Sequence, residues 1–209
     1  MTPFKLLSIA LSHPDADLLE LLGDVAEEAR ELPAGPVRDG LLAGVAGIAA
    51  TDPIAASARY VATFDFNRRC ALDLTFASHG DRRQRGVALL KLRRLYARLG
   101  VETVGDELPD HLPLLLELAD ALGEEAGREL LAEFRPAIEV LRGGLHRDAS
   151  PYAPLLDALC ALLGPLEEQD AASAMRLAAD GPPGEEVGLE PFAPPEAMPV
   201  AAAAAGGAR

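Results

Sequence analysis

Apolar residues recur every three or four positions along most of this chain, the period of a helix buried on one side. Leu18, Leu21, Leu22, Val25 and Ala29 carry that period through Asp17 to Leu32, and the Pro33 to Pro36 stretch stops it. Val37 to Ala50 reads as a small-residue helix whose glycines at 40, 44 and 47 permit close packing, at about 1 kcal/mol each against Ala. Asp52 suits an N-cap and Pro53 the first helical position, since proline there forfeits no hydrogen bond. The helix that follows carries Ile54, Ala58, Val61 and Phe64. Cys70 to Ser78 fits a short helix or a strand, with few β-branched residues to favour the strand. After Gly80, Asp81 can cap a helix from Arg82 to Leu99. Its apolar stripe would run through Val87, Leu89 or Leu90, Leu92, Leu95, Tyr96 and Leu99, opposite Arg83, Lys91, Arg94 and Arg98.

The second half continues in kind. Pro109-Asp110-His111 opens a helix to Leu122, and Glu124 to Leu141 forms another that Pro136 would kink. Tyr152 to Leu163 and Pro165 to Ala179 complete the set. Alternating apolar–polar runs are almost lacking, and no Asn-Gly or Asp-Gly pair joins two such runs as a hairpin turn. The expected fold is all-α, a single-domain bundle of about eight or nine helices over residues 1–180. From Gly181 to Arg209, 19 of 29 residues are Pro, Gly or Ala, so residues 181–209 are expected to form a flexible, disordered tail, with a sticky patch at Val187, Leu189 and Phe192.

Composition narrows the function classes. The chain has 209 residues and a formal net charge of −14, which argues against general nucleic-acid binding. Two cysteines 90 positions apart make neither a disulfide framework nor a metal knuckle. No signal-peptide pattern and no membrane-length apolar run is evident, so the expected compartment is the cytoplasm, with both thiols reduced. Gly-x-Ser-x-Gly and phosphate-loop sequences are missing, and the histidines at 13, 79, 111 and 146 lack helical ligand spacing. The expectation is a protein that is not an enzyme, with no metal and no cofactor of its own.

Charge is distributed unevenly. Arg59 to Arg98 holds 10 basic and 3 acidic residues, while the remainder holds 9 basic and 30 acidic. Three readings follow. The basic face pairs with acidic helices inside the fold; the acidic region recognises a basic peptide; or the basic patch binds a phosphorylated or nucleotide-like group.

One segment is distinctive. Tyr60, Val61, Thr63, Phe64 and Asp65 are followed by Arg68-Arg69, Leu74-Thr75-Phe76, and Gly80-Asp-x-Arg83-x-Arg85-Gly86-x-Ala88-Leu89. Further on comes Glu107-Leu-Pro-Asp110-His111-Leu-Pro113, then Glu117. This pattern resembles the NarJ-type nitrate reductase molybdenum-cofactor assembly chaperones. The wider group of twin-arginine leader-binding chaperones carries a similar Glu-Pro-x-Asp-His motif, and the Leu between Glu107 and Pro109 is the departure that belongs to the nitrate reductase branch.

The resemblance implies an all-helical, cytoplasmic, non-enzymatic chaperone. Its partner would be the unassembled catalytic alpha subunit of respiratory nitrate reductase, including that subunit's N-terminal leader-like segment. The chaperone would keep this subunit competent for molybdenum-cofactor insertion and away from premature membrane docking. Peptide binding would draw on Tyr60 and Phe64 as groove floor or, preferably, core, with Asp65, Glu107 and Asp110 at the rim. Asp110 equally suits an N-cap, and His111 suits either a titrating contact or a plain surface position. Arg68 and Arg69 could face the peptide, or at least one of them could pair with Glu107 or Asp110 to hold the fold. A homodimer is left open, as is direct contact with cofactor. The alternatives are a leader-binding chaperone for another molybdoenzyme and a nucleotide- or cofactor-handling enzyme.

Overall fold

A computed structural model describes residues 1–80, 83–101 and 107–181. These form eleven helices: α1 (Pro3–Ala10), α2 (Ala16–Glu31), α3 (Pro36–Ala49), α4 (Pro53–Phe64), α5 (Leu74–His79), α6 (Arg83–Leu99), α7 (Leu112–Leu122), α8 (Glu124–Ala132), α9 (Arg135–Arg147), α10 (Ala153–Leu163) and α11 (Glu168–Asp180). The all-α expectation holds: the extended pairing among the described residues is one isolated bridge, Asp73 to His111. The proposed cap at Asp81 and the tail beyond Gly181 lie outside the described residues.

Local chemistry sets several helix starts. Thr2, Asp15 and Asp52 each accept a hydrogen bond from a first-turn amide (Lys5, Leu18 and Ala55), and Pro3, Pro36 and Pro53 occupy first turns where no donor is needed. The helix count exceeds the expected eight or nine, partly because Glu124 to Leu141 is two helices rather than one kinked one. In a continuous helix the ring of Pro136 would collide with the carbonyl four residues back, at Ala132; α8 ends there and α9 begins at Arg135.

The core sits where α1, α3, α7 and α10 meet. Helix α10 is buried nearly all round, through Leu155, Leu156, Ala158, Leu159 and Leu162. It lies so close to α3 that a Cβ on Gly40 would stand 2.5 Å from the Pro154 carbonyl oxygen, and one on Gly44 would stand 2.5 Å from the Leu155 side chain. Tyr60, Phe64 and Tyr152 pack edge to face, with centroids 4.8 to 5.9 Å apart.

Two apolar stripes differ from expectation. On α4 the inward residues are Ala56, Tyr60 and Phe64, while Ile54 is 83% exposed and Ala58 is exposed. On α6 only Leu92 and Tyr96 are buried; Val87, Leu90 and Leu99 are exposed. Leu92 and Tyr96 are one turn apart, and Val87 and Leu90 fall on the opposite, basic side. No single described helix is long and apolar enough to cross a membrane.

Candidate functional site

The family-like segment folds around one carboxylate pair. The chain leaves α4 at Asp65, crosses to Asp73 ahead of α5, and meets the Glu107–His111 segment edge to edge. Leu74 N–H donates to the Asp110 carbonyl at 3.1 Å, and Leu112 N–H donates to the Leu72 carbonyl at 2.9 Å. These two bonds place the side chains of Asp73, Asp110 and His111 beside the first turns of α5 and α6.

Asp110 is fully buried. Its Oδ2 accepts from the Thr75 amide at 3.0 Å and from the Thr75 hydroxyl at 2.5 Å, and it lies 3.7 Å from the Arg85 guanidinium. Arg85 donates to Asp73 at 3.0 Å and to the Thr75 hydroxyl at 3.3 Å. Asp73 is bonded on its other oxygen to His111 Nδ1 at 3.2 Å, and His111 in turn stands 3.8 Å from Glu107. Burial alone would raise the Asp73 pKa. The His111 hydrogen bond, the His111 charge and the Arg85 guanidinium outweigh it, and hold the carboxyl below its ordinary value.

Above this network lies a cavity of about 300 Å³ lined by Phe64, Asp65, Arg68, Ala71, Leu72, Asp73, Phe76, Arg85, Glu107 and His111. Two guanidiniums stack on the Phe76 ring, Arg68 5.0 Å and Arg85 5.3 Å from its centroid. Glu107 and Asp65 are exposed at the margin. The result is a partly apolar hollow that encloses Asp73 and Arg85 and carries Asp65, Arg68 and Glu107 exposed around it.

The structure therefore brings together five of the eight residues expected to bind peptide: Phe64, Asp65, Arg68, Glu107 and His111. It places the other three elsewhere. Tyr60 is core, its hydroxyl donating to the Leu11 carbonyl at 3.1 Å. Asp110 lies beneath the cavity rather than at its rim, and α7 begins after it with His111 as the capping position. Arg69 lines a separate cleft against α9 and α11. The cation that reaches Asp110 is Arg85.

Sequence reasoning missed Asp73, Phe76 and Arg85 as site residues. Phe76 and Arg85 were visible as positions of the shared pattern, but nothing local to the sequence shows that α5 and α6 fold back onto the Glu107–His111 segment. Among the described residues no group of three or more His, Cys, Asp or Glu side chains is arranged to hold a metal ion.

Fold and site together define an all-helical protein whose densest chemistry is a charged hollow built from two neighbouring stretches of the sequence pattern. The family described as "Nitrate reductase delta subunit" matches residues 19–158. A Bacillus subtilis protein named "Probable nitrate reductase molybdenum cofactor assembly chaperone NarJ" is 35% identical over 160 residues, covering 77% of this chain and 87% of that one. The Escherichia coli K12 "Nitrate reductase molybdenum cofactor assembly chaperone NarJ" is 31% identical over 172 residues, covering 81% and 73%. A Mycobacterium tuberculosis "Nitrate reductase-like protein NarX" is 37% identical over 153 residues, which is 73% of this chain but 23% of that longer protein. This chain belongs to the nitrate reductase delta subunit family, and its resemblance to NarJ-type chaperones holds across most of its length.

Proposed function

We propose that this chain is a dedicated assembly chaperone for a respiratory nitrate reductase. It binds the unassembled catalytic subunit in the cytoplasm, including its N-terminal leader-like segment, and keeps it open to molybdenum-cofactor insertion and off the membrane until that is done. It performs no catalysis and holds no cofactor of its own. Family membership and the names of its relatives support the chaperone role. The observation that carries the peptide-binding part is the convergence of Phe64, Asp65, Arg68, Glu107 and His111 on one hollow. A basic, amphipathic helix laid there would meet Phe64 and Phe76 with its apolar side and Asp65 and Glu107 with its charged side, the helix-in-groove mode.

Affinity capture with the full chain from its native host tests the partner. Recovery of a nitrate reductase catalytic subunit is the expected result, and recovery of a different molybdoenzyme instead would overturn the substrate assignment. Calorimetry with a peptide of the partner's N-terminus tests the site. Replacing both Asp65 and Glu107 by Ala should weaken binding about two- to thirtyfold, as expected for two rim charges of about 0.2–1 kcal/mol each, with an unchanged helical CD signal. Unchanged affinity would remove the site assignment.

A further inference from the structure

Helix α6 carries six basic residues and no acidic one in seventeen positions, within a chain whose other residues include 13 basic and 33 acidic side chains. Its outward face, at helical spacing, is Arg83, Val87, Leu90, Lys91, Arg94 and Arg98, with Val87 55% and Leu90 48% exposed. Arg83, Lys91 and Arg94 form no ion pair among the described residues, despite the excess of acids elsewhere. Beside this face a cleft of about 440 Å³ opens between α5, α6 and the start of α9, with Val87, Leu92 and Phe134 among its apolar walls. The face is distinct from the charged hollow, which α6 reaches only through Arg85.

A protein surface that leaves both cations and aliphatic side chains without partners is suited to an occupant of opposite sign and matching apolarity. Charge selects among the candidates. A two-fold contact of α6 with α6 in a second copy would press two sets of cations together. An anionic bilayer or a nucleic acid would attract α6 but repel the rest of the molecule, which carries a formal −20, and the outward face has no aromatic anchor for a lipid interface. We propose that the outward face of α6 is a docking surface for an acidic amphipathic segment of a partner protein, its aliphatic residues against Val87 and Leu90 and its carboxylates against Arg83, Lys91 and Arg94. A basic leader helix would be repelled there, so the surface is additional to the peptide site and independent of it.

The test uses the full chain and a fluorescent 18-residue helical peptide with Leu on one face and Glu on the other, read by anisotropy. Saturable binding that weakens as salt is raised is expected, with at least a tenfold loss of affinity in the Val87→Glu/Leu90→Glu protein and in the Lys91→Glu/Arg94→Glu protein. Both pairs lie on the exposed face, so the melting curves should stay near that of the parent; if the first variant misfolds, the charge reversal gives the answer. Equal binding of a Leu/Lys peptide, no saturation at millimolar concentration, or unchanged affinity in the variants would overturn the proposal. So would sedimentation with phosphatidylglycerol vesicles through these residues without peptide binding, which would assign the face to a membrane. A tenfold gain in peptide affinity on reversing Glu185, Glu186 and Glu190 to Lys would also overturn it, by making the chain's own acidic segment the occupant.

Discussion

Asp110 is a carboxylate taken wholly out of water, and its neighbours explain why it stays there. Two donors of Thr75 and the nearby Arg85 guanidinium face one of its oxygens, while its backbone carbonyl holds the amide of Leu74. Removing that carboxylate leaves the two Thr75 donors buried without their acceptor, while Arg85 keeps its bond to Asp73. Asp110→Ala should therefore lower unfolding free energy by about 1–3 kcal/mol in urea titrations, a larger effect than loss of an exposed rim acid. An unchanged midpoint would show that the Thr75 donors are satisfied without Asp110. The sequence marked Asp110 as important but as a rim or capping residue, because acids are ordinarily exposed and spacing alone carries no sign of burial. Phe64 was readable as core or floor, and the structure makes it core, packed on Tyr60 and Tyr152 and also lining the hollow.

Between elements, the glycines at 40, 44 and 47 marked α3 as a helix open to close packing, but not that its partner is α10. Gly40→Ala would drive a methyl toward the Pro154 carbonyl oxygen, which belongs to backbone and cannot swing aside. A net loss of about 1–3 kcal/mol is expected despite the better helix propensity of Ala. Gly143→Ala, on α9 where a Cβ meets nothing within 4 Å, should instead gain up to about 1 kcal/mol. Thermal melts of the two variants should move in opposite directions, and a shared direction would contradict the packing. The break between α8 and α9 was harder to see, since the apolar period runs through it and only the register of Pro136 forbids continuity. On α6 a single wide stripe was expected, and the structure splits it into a buried side at Leu92 and Tyr96 and an exposed side at Val87 and Leu90. Periodicity places residues on faces without saying whether a neighbouring element covers them.

Across the whole molecule, three acids tie helices together with depressed pKa values. Burial would raise each, but Asp73 is held down by His111 and Arg85, Glu139 by Arg135, Cys160 and Arg142, and Asp157 by His146 and Arg142. A carboxyl whose folded pKa lies below its unfolded value stabilises the fold above the unfolded value, about 4, and that stability is lost as pH falls through the folded one. Denaturant midpoints should thus fall as the medium is acidified below about pH 4, and the Asp157→Asn protein should show a shallower loss over that range. Equal slopes for the two proteins would rule out Asp157 as a contributor. The all-helical class was readable from period and caps, though α1 was not singled out and α5 fitted a strand as well. Which helices touch was not readable, because those contacts join residues far apart in the chain. The pairing of α3 with α10 is the extreme case: residues near 44 rest on residues near 155. Closing so long a loop is slow relative to local helix formation. On the ribosome the face of α3 that packs on α10 must wait uncovered until the tenth helix has been made, so the chain passes through an incomplete state of its own before it can attend to that of a client.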